Sequence, residues 1–136
     1  MAPARIALIV YLAVGVPSVA LAKPPRCLDL TDPYATATFR GSLVRLRVQG
    51  QPTVINPTGI ERPLILRLLR PICITSEGAS LGQAHSVQVQ PADTLLRKAK
   101  MLVGHQVRVF GQVEARATVH QHAPVQINAS QIVRLR

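Results

Sequence analysis

Two histidines lie two positions apart near the end of the chain, in the segment His120-Gln121-His122 that precedes Pro124. In an extended segment, side chains at positions i and i+2 point to the same side, so both imidazoles could bind one zinc or copper ion. A tight site needs a third or fourth ligand, and no cysteine or carboxylate is close in sequence; His105 is a further candidate. His120 and His122 are therefore candidate metal ligands, and the alternative is that they only hydrogen-bond the turn.

The sequence contains two cysteines, Cys27 and Cys73. An even number of cysteines in an exported chain indicates a disulfide, because an oxidising compartment preserves the bond. Neither cysteine belongs to a C-x-x-C motif, and neither has a sequence neighbour that would favour its thiolate, so metal binding or nucleophilic catalysis is the weaker interpretation. We predict a disulfide between Cys27 and Cys73.

Basic residues outnumber acidic ones, with 16 lysines and arginines against six aspartates and glutamates and a formal net charge of +10. A charge of this sign favours anionic partners. The arginines on or beside predicted strands are expected to form one basic face that binds the partner: Arg45, Arg47, Arg67, Arg108 and Arg116. For an exported protein, the partner would be an acidic protein or an anionic polymer of the cell envelope. The alternative is an arginine-rich surface that is only solvated.

Other classes of function have less support in the sequence. The six carboxylates are dispersed without a paired acid/base arrangement, and the serines lack a nucleophile motif, so we expect neither enzymatic activity nor a cofactor. Barrels that bind single-stranded nucleic acid stack bases on aromatic residues set among basic ones. Phe39 and Phe110 are the only candidate rings here, and export would also argue against a nucleic-acid partner.

The first 22 residues have the pattern of a secretory signal peptide. Arg5 supplies the positive charge, residues 6–16 are mostly apolar, and Ala20-Leu21-Ala22 fits an A-x-A cleavage site. A membrane-spanning helix would need roughly 20 apolar residues, more than this run provides. Cleavage would leave residues 23–136 as one domain with a formal charge of +9, because Arg5 is lost. We expect this domain to be periplasmic or secreted, without a transmembrane segment.

Alternation of apolar and polar residues predicts most of the secondary structure. Five strands are expected, at residues 38–48, 64–74, 86–90, 107–115 and 124–133. In the first strand, Val44, Leu46 and Val48 would share the inner face, with a bulge or bend at Gly41. The second would be interrupted at Pro71. Inward residues of the last three strands are expected to be Val87, Val89, Val107, Val109, Gly111, Val113, Val125, Ile127 and Ala129.

One helix is expected between the third and fourth strands. Asp93 or Thr94 would cap it, and Gly104 would end it. Its buried side would contain Leu95, Leu96, Ala99, Leu102 and Val103. The remaining segments 50–63 and 75–84 contain glycines, prolines or small polar residues and are expected to be loops.

Three strands, a helix and two further strands, with a bend in the first strand, is the order of an OB fold. We therefore predict a mainly β protein, a small five-stranded OB-fold-like barrel with one helix between strands three and four. A small open sandwich is the alternative architecture.

Four segments of the chain resemble a bacterial exported family known as domain of unknown function 4431. They begin at Phe39 (Phe-Arg-Gly-Ser-Leu-Val), Arg70 (Arg-Pro-Ile-Cys-Ile), Leu102 (Leu-Val-Gly-His-Gln-Val-Arg-Val-Phe-Gly) and His120 (His-Gln-His-Ala-Pro-Val). The resemblance covers residues 27–133 and implies a small OB-type barrel in the periplasm, with the middle cysteine in the Pro-Ile-Cys motif. Ala123 stands where the family tends to have threonine, and the loop has fewer histidines than is usual there. The resemblance implies no established activity.

Overall fold

The structure is a computed structural model that describes residues 27–116 and 121–136. The predicted signal peptide, residues 1–22, and the candidate metal ligand His120 lie outside the described residues. Within the described part, the chain forms eight strands, one short 3-10 turn and one α-helix, which confirms a mainly β protein.

The elements follow one another along the chain as β1 (Leu28–Asp29), β2 (Thr36–Arg45), β3 (Val48–Gln49), β4 (Ile60–Glu61), β5 (Leu64–Ser76), β6 (Ala79–Pro91), a 3-10 turn (Asp93–Leu95), α1 (Leu96–Met101), β7 (Gln106–Ala115) and β8 (Val125–Arg134). Six strands form one sheet in the order β1-β5-β2-β7-β8-β6, and β3 and β4 form a separate two-stranded ribbon. The prediction of five strands is therefore wrong for the described residues, because three two-residue strands are added to the five long ones.

The pairings among the five long strands form a closed circuit. β5 pairs with β2, β2 with β7, β7 with β8, β8 with β6, and β6 again with β5. All of these pairs are antiparallel except β6 and β8. The sixth strand, β1, pairs in parallel with the far end of β5, where Leu28 is opposite Ile74. Leu68 is the last residue of β5 that pairs with β2, and β1 pairs with β5 beyond it.

Aliphatic side chains that alternate with exposed residues fill the interior. The predicted inward residues of the last three strands are buried: Val87, Val89, Val107, Val109, Gly111, Val113, Val125, Ile127 and Ala129. On β2 the predicted inner face is wrong, since Phe39 and Leu43 are buried and Val44 is only half-buried. The expected bulge at Gly41 does not form, because β2 pairs with β7 through this residue without a register shift; the β2–β5 pairing ends at the same residue.

The segment expected as a loop at residues 75–84 is a β-hairpin. Glu77 and Gly78 have φ angles of 50° and 77°, the left-handed conformation that two-residue hairpin turns of type I′ require at both central positions. Ser76 and Ala79 therefore pair directly, and β5 and β6 continue on either side. Pro71 lies where the β5–β6 register shifts, between Arg67 and Ile72, in agreement with the predicted interruption.

The helical segment crosses from β6 to β7 and is shorter than predicted. Ala99 is fully buried, and Leu95, Leu102 and Val103 pack against the core, whereas Leu96 is 40% exposed and not buried as expected. The predicted cap is wrong as well: neither Asp93 nor Thr94 caps the segment, because Ala92 occupies the cap position and no side chain bonds the first turn. Gly104 follows α1 with a φ of 86°, the conformation that ends helices.

Candidate functional site

Three arginines lie on the outer side of the neighbouring strands β5, β2 and β7. Arg40 and Arg108 are directly opposite one another in the antiparallel β2–β7 pair. Arg67 of β5 is opposite Ser42, which lies two residues after Arg40 on β2. All three side chains are exposed and flanked in sequence by residues that face the interior. We call Arg40, Arg67 and Arg108 the arginine face.

Among the described residues, the arginine face has no acidic partner. Like charges directly opposite each other on antiparallel strands destabilise the sheet. Throughout residues 27–116 and 121–136, no arginine or lysine forms an ion pair. Glu61 instead contacts a histidine, His122. The positive charge of Arg40 and Arg108 is therefore not compensated by the described part of the protein.

Apolar side chains are exposed beside these guanidinium groups. Phe110, opposite Thr38, is 37% exposed, and Val133, opposite Arg108, is 40% exposed. Leu69 on β5 is 56% exposed. Arginine and aromatic residues are enriched in protein interfaces, where apolar contact and directed hydrogen bonds combine. The arginine face therefore has the composition of a binding surface that contacts both charged and apolar groups.

A groove opens at one margin of the arginine face. The β2–β5 pairing ends at Gly41 and Leu68, and the two strands separate beyond this point. The groove has a volume of about 280 Å³, and Phe39, Leu69 and Ile72 contribute apolar surface to it. Arg40 and Arg70 also line it, so the groove combines an apolar floor with positive charge.

The structure does not bring all five predicted arginines together. Arg67 and Arg108 share the outer surface of the sheet, but Arg45 is the last residue of β2 and lines a different cavity. Arg47 follows β2, and Arg116 follows β7, where its N–H donates a hydrogen bond of 3.0 Å to the Pro124 carbonyl. Sequence reasoning missed Arg40; the structure buries its neighbours Phe39 and Gly41, which places Arg40 on the outer side.

A second polar group lies where the segment before β8 crosses β6. The N–H of His122 donates a hydrogen bond of 2.6 Å to Oε1 of Gln88. Nε2 of the same histidine contacts the carboxylate of Glu61 in β4. Gln88 and Gln121 are only 8% and 5% exposed. Together with Glu114 and Gln126, these residues form what we call the glutamine cluster.

Hydrogen bonds connect the rest of the glutamine cluster. Nε2 of Gln121 donates to Oε1 of Gln126 over 2.9 Å, and Nε2 of Gln126 donates to Oε1 of Glu114 over 3.0 Å. No buried side-chain nitrogen or oxygen among the described residues lacks a hydrogen-bond partner. The cluster therefore holds the segment before β8 on the sheet, and the contact with Glu61 attaches the β3–β4 ribbon to that segment.

The predicted metal ligands are only partly described. His122 lies beside Glu61, and His120 is outside the described residues. His105 lies just before the first residue of β7. His122 lies just before β8, and β8 begins beside the last residue of β7, so His105 and His122 are at opposite ends of that strand. In the described part of the chain, no group of three or more histidines, cysteines and carboxylates is arranged to hold a metal ion.

The predicted disulfide between Cys27 and Cys73 is confirmed. It joins the residue before β1 to β5. Close to it, Thr31 donates two hydrogen bonds to Oδ1 of Asp29, one of 2.6 Å from its hydroxyl and one of 2.9 Å from its N–H. Both bonds lower the pKa of Asp29, and the hydroxyl bond has the larger effect. The Thr31 hydroxyl also accepts a hydrogen bond of 2.6 Å from the N–H of Glu77, which connects the disulfide-linked segment to the β5–β6 turn.

Comparison with known proteins shows no family for this chain. No protein-family model and no curated protein matches it. Among solved structures it is similar to the small single-stranded DNA-binding protein from Streptomyces coelicolor, with a TM-score of 0.38 and 15% identity, covering 74% of this chain and 89% of that chain. No helix among the described residues has the length and apolar character needed to cross a bilayer. The resemblance to domain of unknown function 4431 stays a prediction.

Proposed function

We propose that this protein is a non-enzymatic binding module that holds an acidic protein on the arginine face. The observation that carries the proposal is the directly opposed pair Arg40 and Arg108, for which the described residues provide no carboxylate. A partner's carboxylate between the two guanidinium groups would replace repulsion by attraction. Guanidinium groups also form paired hydrogen bonds with carboxylates, which fixes the orientation of the partner.

The exposed apolar residues favour a protein over a simple anionic polymer. Phe110, Leu69 and Val133 offer apolar area beside the arginines, and a polymer that carries only charge would leave this area without a contact. An anionic envelope polymer is therefore the alternative ligand. Arg45, Arg47 and Arg116, which the sequence also suggested as ligand-binding residues, would contribute to long-range attraction rather than to the contact.

Several features support the remaining parts of the proposal. The signal-peptide pattern and the disulfide between Cys27 and Cys73 support a periplasmic or secreted bacterial protein. The closed circuit of five long strands, with a helix between β6 and β7, supports an OB-type barrel in which residues 23–136 form one domain.

Binding of two synthetic polypeptides to the purified mature protein tests the proposal. Fluorescence anisotropy would compare polyglutamate with a glutamate–tyrosine copolymer at low and moderate salt. We expect both polypeptides to bind, the copolymer more tightly. The double variant Arg40→Glu/Arg108→Glu should lower the affinity for both by more than about ten-fold, because each lost charge-assisted hydrogen bond contributes strongly to binding.

The matched control is Arg97→Glu/Lys98→Glu, which makes the same change in net charge on α1. We expect it to weaken binding by less than about three-fold, through long-range attraction alone. Equal losses in the two double variants would contradict a defined site. Phe110→Ala should remove the preference for the copolymer, and equal binding of both polymers by the unaltered protein would instead indicate the envelope-polymer alternative.

A second candidate function, metal binding or stress protection by an exported protein, has one observation in its favour. The fold brings the carboxylate of Glu61 to His122 from 61 positions away, and imidazole and carboxylate are both zinc ligands. The test is calorimetric titration with zinc and copper. Micromolar or tighter binding that disappears in His120→Ala/His122→Ala would support this function, and absence of binding would exclude it.

A further inference from the structure

A second basic site lies at the end of the sheet where β2 stops and α1 crosses. It is a cavity of about 140 Å³, and Arg45, Arg62 and Lys100 all line it. The remaining lining residues include Gln90, whose side-chain amide can donate hydrogen bonds. We call this cavity the Arg45 pocket.

The fold brings the three cations together from separate elements. Arg45 is opposite Leu64 in the β2–β5 pair, and Arg62 is two residues before Leu64. The N–H of Leu46 donates a hydrogen bond of 3.1 Å to the Pro63 carbonyl, which holds the two chain segments side by side. Lys100 is supplied by α1, which runs across this end of the sheet after β6.

None of the described residues that line the Arg45 pocket carries a carboxylate. Glu61 is next to Arg62 in sequence, but its carboxylate contacts His122. Asp93 lines another cavity, which shares the lining residues Leu96 and Lys100, and within the described residues Asp93 forms no ion pair with Lys100. Three like charges around a concave surface produce a concentrated positive potential, which attracts an anion more strongly than the same charges on a flat surface would.

We propose that the Arg45 pocket binds one compact oxyanion, a phosphate group. At about 140 Å³ the pocket has room for a tetrahedral group of five heavy atoms, and it has half the volume of the groove beside Arg40. The guanidinium forks of Arg45 and Arg62 would each bind two oxygens, and Lys100 would act as a point charge.

This site is independent of the arginine face. Arg45, Arg62 and Lys100 lie at the end of the sheet, whereas Arg40, Arg67 and Arg108 lie on its outer surface. The phosphate could be the free inorganic ion or the terminal phosphate of a lipid headgroup, since both present the same oxygens. The two sources differ in whether the protein binds to a membrane.

Titration of the mature protein with inorganic phosphate at low salt, in a buffer without phosphate, tests the proposal by calorimetry and NMR. A parallel sedimentation assay uses vesicles with and without phosphatidic acid, whose headgroup is a phosphate monoester. We expect saturable phosphate binding that Arg45→Gln or Arg62→Gln weakens about ten-fold or more. The matched control is Arg40→Gln or Arg108→Gln, which removes the same charge and should change phosphate binding by less than about two-fold.

The outcomes separate the two sites and the two sources. Binding of phosphatidic acid vesicles that depends on Arg45 and Arg62, without binding of free phosphate, would support the site and assign its ligand to a lipid. Binding of neither probe, or equal losses in all four variants, would overturn the proposal. Polyglutamate binding in the same variants reports on the arginine face separately, because Arg45→Gln should leave it within about two-fold of the unaltered protein.

Discussion

Arg40 on β2 and Arg108 on β7 are directly opposite one another, and within the described part of the chain neither has a carboxylate partner. Opposed like charges on neighbouring strands destabilise a sheet by a fraction of a kcal/mol relative to neutral residues. The same arrangement doubles the positive charge at one point of the outer surface. Stability and binding should therefore respond in opposite directions to changes at this pair.

Replacing one member of the pair by glutamate tests this opposition. We expect Arg40→Glu to raise the free energy of unfolding by about 0.2–1 kcal/mol in urea denaturation at low salt, because an opposite-charge pair replaces a like-charge pair. The gain should shrink in 1 M salt, where surface charges are screened. Arg134→Glu, opposite the uncharged Val107, is the control and should give no such gain. Unchanged or lower stability of Arg40→Glu would show that the two arginines do not repel.

Gly41 and Gly111 allow strands to approach closely, and substitution there should be far more damaging than at a glycine with open space around it. A Cβ atom at Gly41 would lie 2.0 Å from the carbonyl oxygen of Arg67, and one at Gly111 would lie 2.0 Å from that of Asn128. We expect Gly41→Ala and Gly111→Ala to lower the free energy of unfolding by about 3 kcal/mol or more, since main-chain atoms must move.

The control for these glycines is Gly82, which has a φ of 87° but open space around its Cα atom. Gly82→Ala should cost only the roughly 1–2 kcal/mol of the left-handed conformation. Chemical denaturation of the three variants measures the difference. A loss at Gly41 or Gly111 no greater than that at Gly82 would show that the strands separate easily.

The strands that the sequence predicts best are those with buried aliphatic residues at every second position. Val107, Val109 and Val113 show this pattern on β7, and all three are buried. The first half of β6 lacks it, because Ala79 to Gln83 are all exposed in the hairpin arm and no apolar alternation marks them as a strand. The same absence hides the hairpin turn at Glu77 and Gly78, whose sequence resembles that of an ordinary loop.

The candidate sites depend on strand register, which local sequence patterns do not contain. The prediction that arginines provide a basic surface follows from composition, but the pairing of Arg40 with Arg108 requires the β2–β7 register across 68 positions of sequence. The contact between Glu61 and His122 likewise joins segments 61 positions apart. Such contacts are fixed by how the whole sheet closes, and single-sequence reasoning reaches only the residue types.

The disulfide should contribute a large share of the stability of a domain this small. Cys27 and Cys73 are separated by 46 positions, and closing a loop of that length stabilises the fold by about 4 kcal/mol in the loop-entropy estimate. We expect Cys27→Ser/Cys73→Ser to lose roughly this amount in urea denaturation. Reductant should lower the stability of the unaltered protein to the same level and leave the double variant unchanged. A loss below about 1 kcal/mol would mean that β1 remains attached without the covalent link.

The contact between His122 and Glu61 should control how firmly the β3–β4 ribbon is attached to the sheet. The ribbon has few residues, and the Gly50 N–H donates a hydrogen bond of 2.8 Å to the Gly59 carbonyl across it, so hydrogen exchange at Gly50 reports its opening. We expect His122→Ala and Glu61→Ala each to speed this exchange about ten-fold, because a hydrogen bond to a charged group is lost.

Combining the two substitutions distinguishes the contact from independent effects of its members. If the contact holds the ribbon, the double variant should exchange no faster at Gly50 than the more affected single variant, which is the signature of coupled residues. The Val109 amide in β7 should exchange at an unchanged rate, and Glu77→Ala, which removes a carboxylate from the distant β5–β6 turn, should leave Gly50 unaffected. Additive effects of the two alanines would show that Glu61 and His122 support the ribbon separately, through their other neighbours.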